Sequence, residues 1–311
     1  MGIQVRDVFL PFVFLNMIVG LPFLNAAERE EVSMSHHFRS QLQEKARLLH
    51  ALHREGTPLF LPNAWDALSA KMFEQAGAKA IATTSAGIAA VFGYADGQQL
   101  PKDLLFTMVE RIVKSVAVPV TVDLEAGFGH TPEEICETVL GILKRGAVGI
   151  NIEDADPKRP GQLFTIVEQT EKIRAIKALA NKEGVPVFVN ARTDVLWLKL
   201  LTQEERLPET LTRLKSYQEA GADGIFVPGL IDPVSIARVV EAIQIPLNLL
   251  AGAWVSDLNT LKSLGVSRVT MGSSGTRECA GYVKAFGQQY LTGRYTLNPA
   301  ISYDEFNSLF N

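Results

Sequence analysis

From Pro58 onward the chain alternates short apolar, β-branched runs with longer stretches of helical periodicity. The strand-like runs fall at 59–63, 78–85, 118–125, 148–154, 185–193, 223–229, 245–252 and 267–273. Helical stretches fit between them, beginning near Asp66, Pro101, Thr131, Thr165, Thr202, Asp232, Asp257 and Ser274. Thr131-Pro132-Glu133-Glu134 and Asp232-Pro233 each set a side-chain acceptor ahead of a proline suited to the first helical turn. Strands that are apolar on the outward face, each followed by a helix, predict a parallel sheet with helices over it. The number of such units, and the lack of a GxGxxG fingerprint after the first strand, predict a closed (β/α)8 TIM barrel over 58–311 rather than an open doubly wound sheet. Residues 34–57 carry MSHHFRSQLQEKARLLHALH, which predicts an amphipathic N-terminal helix ahead of the barrel.

Residues 1–33 form an apolar N-terminal extension and the compositional outlier of the chain. Residues 8–27 approach the roughly 20 apolar residues that a membrane span needs. Pro11, Asn16, Gly20, Pro22 and Asn25 make the stretch a poor helix, and Arg6 is offset by Asp7, which weakens the basic region of a signal peptide. Three readings stand: a true translation start at Met34, a cleaved signal with its cut at Ala26-Ala27, or an anchor. The expected location is cytoplasmic, or exported if residues 1–27 are a signal.

Composition narrows the function. With 47% hydrophobic and 21% charged residues, the 311-residue chain can bury a large core. A net charge of -4 and the lack of a basic stripe argue against a nucleic-acid partner, and nothing in the barrel asks for a membrane. Cys136 and Cys279 lie far apart and belong to no metal-spaced cluster, so they read as free thiols.

The acidic residues at the strand ends carry the chemistry. Alternation puts Thr121, Asp123 and Glu125 on one face of the third strand, with Val120, Val122 and Leu124 on the other. It likewise turns Asn151 and Glu153, Asn190 and Arg192, and Asn248 inward on later strands. Active sites of this architecture lie at the C-terminal strand ends. Three carboxylates converging near one arginine are costly to desolvate unless something completes the set. One reading is a site for Mg2+ or Mn2+, hard cations that prefer oxygen donors, with Arg192 clamping a substrate carboxylate. The other is an internal ion-pair network centred on Arg192. The long, small-residue connection TTSAGIAAVFGYADGQQLP suits a substrate loop in which Ser85 and the backbone of Ala86 and Gly87 bond an anion and Asp96 reaches in. There is no HExxH and no GxSxG, and four of the five histidines precede the barrel.

Taken in order, LPNAWDALSAKMFEQAGAKAI, TTSAGIAAVFGYADG, TVDLEAGFG, INIEDADPKRPG and VNARTD resemble the isocitrate lyase and phosphoenolpyruvate mutase superfamily, over about Leu59 to Gly287. The resemblance implies a barrel whose last helix swaps between subunits in a dimer of dimers. It also implies Mg2+-dependent making or breaking of C–C or P–C bonds beside an α-oxo carboxylate, through an enolate of pyruvate. On this likeness Asp123, Glu125 and Glu153 are the metal-sphere acids and Asp96 the loop carboxylate. Ser85, Ala86 and Gly87 are the carboxylate cradle, Arg192 is the substrate arginine, and Asn248 is a further substrate contact. Two departures limit it. The lyase gating loop, with its cysteine acid, is replaced by Lys158-Arg159-Pro160-Gly161-Gln162, and the mutase Lys-Thr-Asn-Ser segment is absent as well. Glu125 stands where an aspartate is usual, and its longer arm favours contact through a shared water. The expected activity is cleavage of a 2-oxo or 2-hydroxy carboxylate. P–C chemistry, or oxo-acid binding with little turnover, are the alternatives.

Overall fold

Side-chain caps start the helices where the periodicity puts them. Thr131, Thr165 and Thr202 each form a capping box with the glutamate three residues on, and Asp66 does so with Ser69. The computed structural model describes residues 34–252, 258–293 and 301–310. The expectations for residues 1–33 and for a helix start at Asp257 lie outside the described residues. The chain divides into Met1–Ser35 and His36–Asn311, and the second unit holds everything below.

In chain order the elements are α1 (His36–Leu52), β1 (Leu59–Leu61), β2 (Asn63–Ala64), α2 (Ala67–Gln75), β3 (Ile81–Thr83), α3 (Ser85–Val91), α4 (Lys102–Ser115), β4 (Val120–Asp123), α5 (Pro132–Leu143), β5 (Gly149–Glu153) and α6 (Ile166–Glu183). There follow β6 (Phe188–Arg192), α7 (Val195–Leu198), α8 (Gln203–Glu219), β7 (Gly224–Phe226), α9 (Pro233–Ala242), β8 (Leu247–Leu250), α10 (Leu258–Ser263), β9 (Arg268–Thr270), α11 (Ser274–Leu291) and α12 (Tyr303–Ser308). All strands are parallel, in the order β1-β9-β8-β7-β6-β5-β4-β3-β2. The first predicted strand is broken at Pro62, which has no N–H for the ladder. Its first half pairs with β9 and its second with β3, so this broken strand closes the ring. The (β/α)8 expectation holds, with one strand in two pieces.

Outward side chains such as Val122, Ile150, Ile152, Val189 and Leu249 are fully buried under the helices. The inward set is polar: Thr121, Asn151, Asn190, Asn248, Arg268 and Thr270 are buried inside the ring. Helix α1 closes its N-terminal end. There Leu49 packs against the glycine that opens β5, where a Cβ would come within 2.8 Å of its Cδ2, and His53 stacks on Phe188 with ring centroids 4.1 Å apart. Among the described residues no helix is long and apolar enough to cross a membrane.

Three local expectations are corrected. The strand expected over 78–85 ends at Thr83, because Thr84 caps a helix, α3, inside what reads as loop. The strand expected over 118–125 ends at Asp123, and Glu125 takes φ 48, a left-handed conformation that no strand contains. α7 and α12 have no counterpart in the periodicity, since a helix of one or two turns carries too little of it to register.

Candidate active site

A cavity of about 200 Å³ opens at the C-terminal end of the strands. Ser85 and Ala86 from α3, Asp96 from the following loop, Asp123, Asn151 and Arg192 line one side. Trp197, Phe226, Met271 and Arg277 line the other. The strand ends thus bring together five of the residues singled out by the sequence: Ser85, Ala86, Asp96, Asp123 and Arg192.

Asp123 is the centre of that side. Its amide donates to Thr83 Oγ1 at 2.9 Å, and its Oδ2 accepts from the amide of Ser85 at 3.3 Å. Its other oxygen, Oδ1, is buried and has no hydrogen-bond partner. A buried carboxylate oxygen facing a cavity without a donor fits a cation, because both the desolvation and the lone pair ask for one.

Glu125 and Glu153 sit behind Asp123 rather than beside it. Past the strand end, Glu125 does not line the cavity and accepts from the amide of Gln98 at 2.6 Å. Gln98 in turn accepts from the amide of Phe128 at 2.9 Å, and all three residues hold positive φ. Such clustered backbone strain persists only where surroundings enforce it. Burial, then the charges of Asp123 and Asp96, push the Glu125 carboxyl up to about 8. Burial likewise holds Glu153 well above the usual carboxylate range, even though Arg192 Nη1 lies 2.9 Å from its Oε2. The expected convergence of three acids is therefore not a direct cluster: among the described residues no three acidic, histidine or thiol side chains are grouped to hold an ion. Alternation fails at Glu125 because the chain has already left the strand.

Raised carboxyls make stability fall with pH. The folded protein keeps Glu125 protonated up to about 8, whereas the unfolded chain releases that proton near 4.5. Stabilisation present below 4.5 is consequently lost as pH rises through about 8. In EDTA the melting temperature is expected to drop steadily from pH 5 to 8.5, and Glu125→Gln to flatten most of that slope. A wild-type curve that is level or rising over this interval contradicts the assignment.

Arg192 is held from two sides, by Glu153 and by Asp194, whose Oδ1 accepts from Nε at 2.8 Å. These charges keep it cationic, and it is left with Nη2 to offer the cavity. Asp194 is itself placed by Asp154, a fully buried carboxylate unnoticed in the sequence. Asp154 accepts from the amide of Asp194 at 2.9 Å, Thr193 Oγ1 at 2.7 Å, Tyr217 Oη at 2.7 Å and Arg213 Nη1 at 3.1 Å. Its acidic neighbour in IEDAD was the available signal, but alternation assigns it to the outward face, where a carboxylate is not expected.

Besides Glu125 and Glu153, two further predicted residues stand off the cavity. Gly87 donates its amide to Thr84 Oγ1 within the helix cap. It is a glycine because a Cβ would lie 2.5 Å from Thr84 and 2.6 Å from Thr276. Asn248 lies beneath the floor, 1% exposed, accepting from Thr270 Oγ1 at 3.3 Å. The 158–162 segment is folded onto itself: Asp156 accepts from Arg159 Nε at 2.6 Å and from the amide of Lys158 at 2.8 Å, and none of these residues reaches the cavity. Residues missed by the sequence reading include Asn63, whose Oδ1 takes the amides of Met271 and Gly272 and so pins the turn into α11.

Comparison with known proteins bears on this arrangement. The phosphoenolpyruvate phosphomutase family profile matches residues 49–291. A crystal structure of a Burkholderia cenocepacia J2315 protein, provisionally named a phosphonomutase, is 39% identical with a TM-score of 0.76, covering 80% of this chain and 99% of that one. The 2-methylisocitrate lyase of Escherichia coli (strain K12) is 31% identical over 202 residues, 63% of this chain and 66% of the relative. A phosphonopyruvate hydrolase in complex with oxalate and Mg2+ is 27% identical with a TM-score of 0.74, covering 85% of this chain and 94% of that one.

Proposed function

Because this chain belongs to the phosphoenolpyruvate phosphomutase family, we propose that it is a Mg2+-dependent (or Mn2+-dependent) lyase that cleaves a C–C bond of a 2-oxo or 2-hydroxy carboxylate by way of a pyruvate enolate. The observation that carries the reading is the orphaned Asp123 Oδ1 in one cavity with the Ser85–Ala86 turn and Arg192. Asp123, with Glu125 and Glu153 behind it, would hold the cation. When bound, a divalent ion supplies Lewis-acid stabilisation of negative charge building at the C2 oxygen.

The remaining work belongs to the chain. Arg192, pinned by Glu153 and Asp194, presents Nη2 to the substrate C1 carboxylate without having to reorganise. Ser85 and Ala86 bound the same end of the cavity. Phe226 lies under the guanidinium, 5.6 Å from its carbon to the ring centroid, and together with Trp197 keeps the cavity apolar where the leaving fragment departs. With a 2-oxo acid bearing a carboxylate on C3, the C3–C4 bond breaks, CO2 leaves, the electron pair enters the C2–C3 enolate, and C3 then takes a proton. With a 2-hydroxy acid the hydroxyl proton is taken up, the C2–C3 bond breaks to leave a ketone at C2, and the departing carbanion takes the proton. Asp96 is the cavity carboxyl free of the Arg192 network and is assigned that transfer.

The single-pot test is incubation with oxaloacetate, 2-methylisocitrate or phosphonopyruvate, following pyruvate and phosphate. Pyruvate from a C–C substrate, abolished by EDTA, is the expected result. Phosphate release from phosphonopyruvate would instead favour P–C chemistry, the second reading, which is motivated by the match to phosphonopyruvate hydrolase. Oxalate-induced thermal stabilisation with no turnover on any of the three would mark an oxo-acid-binding protein.

The assembly is also part of the proposal. Helix α11 has no buried residue within its own chain, and Tyr282, Val283 and Leu291 are 73%, 64% and 85% exposed. Apolar exposure along one helix is costly in water, and a swap of this helix between subunits would remove it. Light scattering is expected to give a tetramer, and Val283→Glu to shift it to smaller species. A wild-type protein that runs as a monomer at micromolar concentration sinks the assembly.

A further inference from the structure

Arg268 of β9 is the bulkiest fully buried side chain among the described residues, 1% exposed in the middle of the ring. It has no ion-pair partner there. Nε and Nη1 have no hydrogen-bond partner, and the one carboxylate whose charge acts on it is Asp123. An unpaired buried guanidinium is costly, and an apolar side chain of equal bulk would serve packing better. Its one side-chain hydrogen bond among the described residues is therefore informative: Nη2 donates to Asn151 Oδ1 at 3.4 Å, across the ring from β9 to β5.

Asn151 Oδ1 also accepts from Asn190 Nδ2 at 2.8 Å. A guanidinium has donors only, so the atom of Asn151 facing it is the oxygen. Two donors on that oxygen leave Nδ2 as the polar atom for the cavity that Asn151 lines. A second donor without a partner, Asn248 Nδ2, sits on β8 in register with Arg268. The floor beneath the cavity thus carries unpartnered donors on Arg268 and Asn248, which suit an anion above it.

We propose that Asn151 donates from Nδ2 to an oxygen of the bound oxo-acid and that Arg268 is the positioning residue that fixes its amide in that orientation. The inference rests on the oxo-acid reading of the cavity. It adds two residues to the site, one of which reaches the substrate only through its side-chain hydrogen bond to the other.

The test is a double-mutant cycle on oxalate affinity at saturating Mg2+, measured by calorimetry beside thermal melts. Asn151→Ala and Arg268→Met are each expected to weaken oxalate about fivefold or more, the scale of an ordinary hydrogen bond. The double variant is expected to bind like Asn151→Ala alone, because Arg268 acts through Asn151. Arg268→Lys keeps the charge without the fork and should recover part of the loss. If Arg268→Met does not fold, the lysine variant in both backgrounds takes its place in the cycle. Losses below fivefold overturn the proposal, as do losses that multiply in the double variant. A wild-type protein that ignores oxalate overturns the oxo-acid reading, and this inference with it, whereas variants that bind as wild type overturn this inference alone.

Discussion

Asp123→Ala is expected to lose turnover by about 10²- to 10³-fold, the usual cost of removing one preorganised electrostatic contact in a closed site, and to lose the Mg2+ dependence of oxalate binding. The reason is positional. Asp123 alone among the three predicted acids lines the cavity, and it alone carries a buried oxygen with no donor. The same substitution acts on Glu125 in the other direction. The Asp123 charge is the second cause, after burial, of the rise of the Glu125 carboxyl to about 8. Its removal is expected to flatten the fall of melting temperature between pH 5 and 8.5 while activity disappears, a pairing of gain and loss typical of sites that store like charges for function. Activity within threefold of wild type, still unaffected by EDTA, would remove the cation from the account.

How much of this was legible in the sequence depended on whether local periodicity or long-range contact decides a residue's place. Helix starts at Asp66, Thr131, Thr165 and Asp232 were readable because cap and first turn are adjacent in the chain. Alternation placed Asp123, Asn151 and Arg192 correctly because each lies within its strand. It failed for Glu125, where the backbone turns left-handed two residues beyond the strand end. Helix α3 was hidden because seven residues, five of them Ser, Ala or Gly, are too few to show an amphipathic period. Arg268 carries no local signal and Asp154 only its acidic neighbour in IEDAD, since their partners lie 117 and up to 63 residues away in the chain.

The largest loss of stability is expected at Asp154, which never touches the cavity. Four donors end on its carboxylate; buried Tyr217 finds its acceptor there, and buried Arg213 shares its donors between Asp154, Glu209 and the Phe164 carbonyl. Lys172 adds a further charge: its ammonium is buried against the Phe164 ring at 3.1 Å, and Asp154 is the leading charge that offsets the burial lowering it to about 8. Asp154→Ala would strand Tyr217 Oη, Thr193 Oγ1 and the amide of Asp194 and would leave Arg213 only Glu209 and the Phe164 carbonyl, and breaking a buried charged pair from one side costs about 3–5 kcal/mol. Urea unfolding should show that loss as a lower midpoint with unchanged slope. Asp154→Asn keeps shape and part of the accepting capacity, so it should lose less. A functional loss follows from the same geometry, because the Thr193–Asp194 turn that Asp154 anchors is what orients Arg192 through Nε. Oxalate affinity of the folded fraction is therefore expected to fall together with the urea midpoint. An Asp154→Ala protein with a wild-type midpoint would mean that Glu209 and the Phe164 carbonyl suffice for Arg213, that Tyr217 finds another acceptor, and that the Arg192 turn does not depend on this carboxylate.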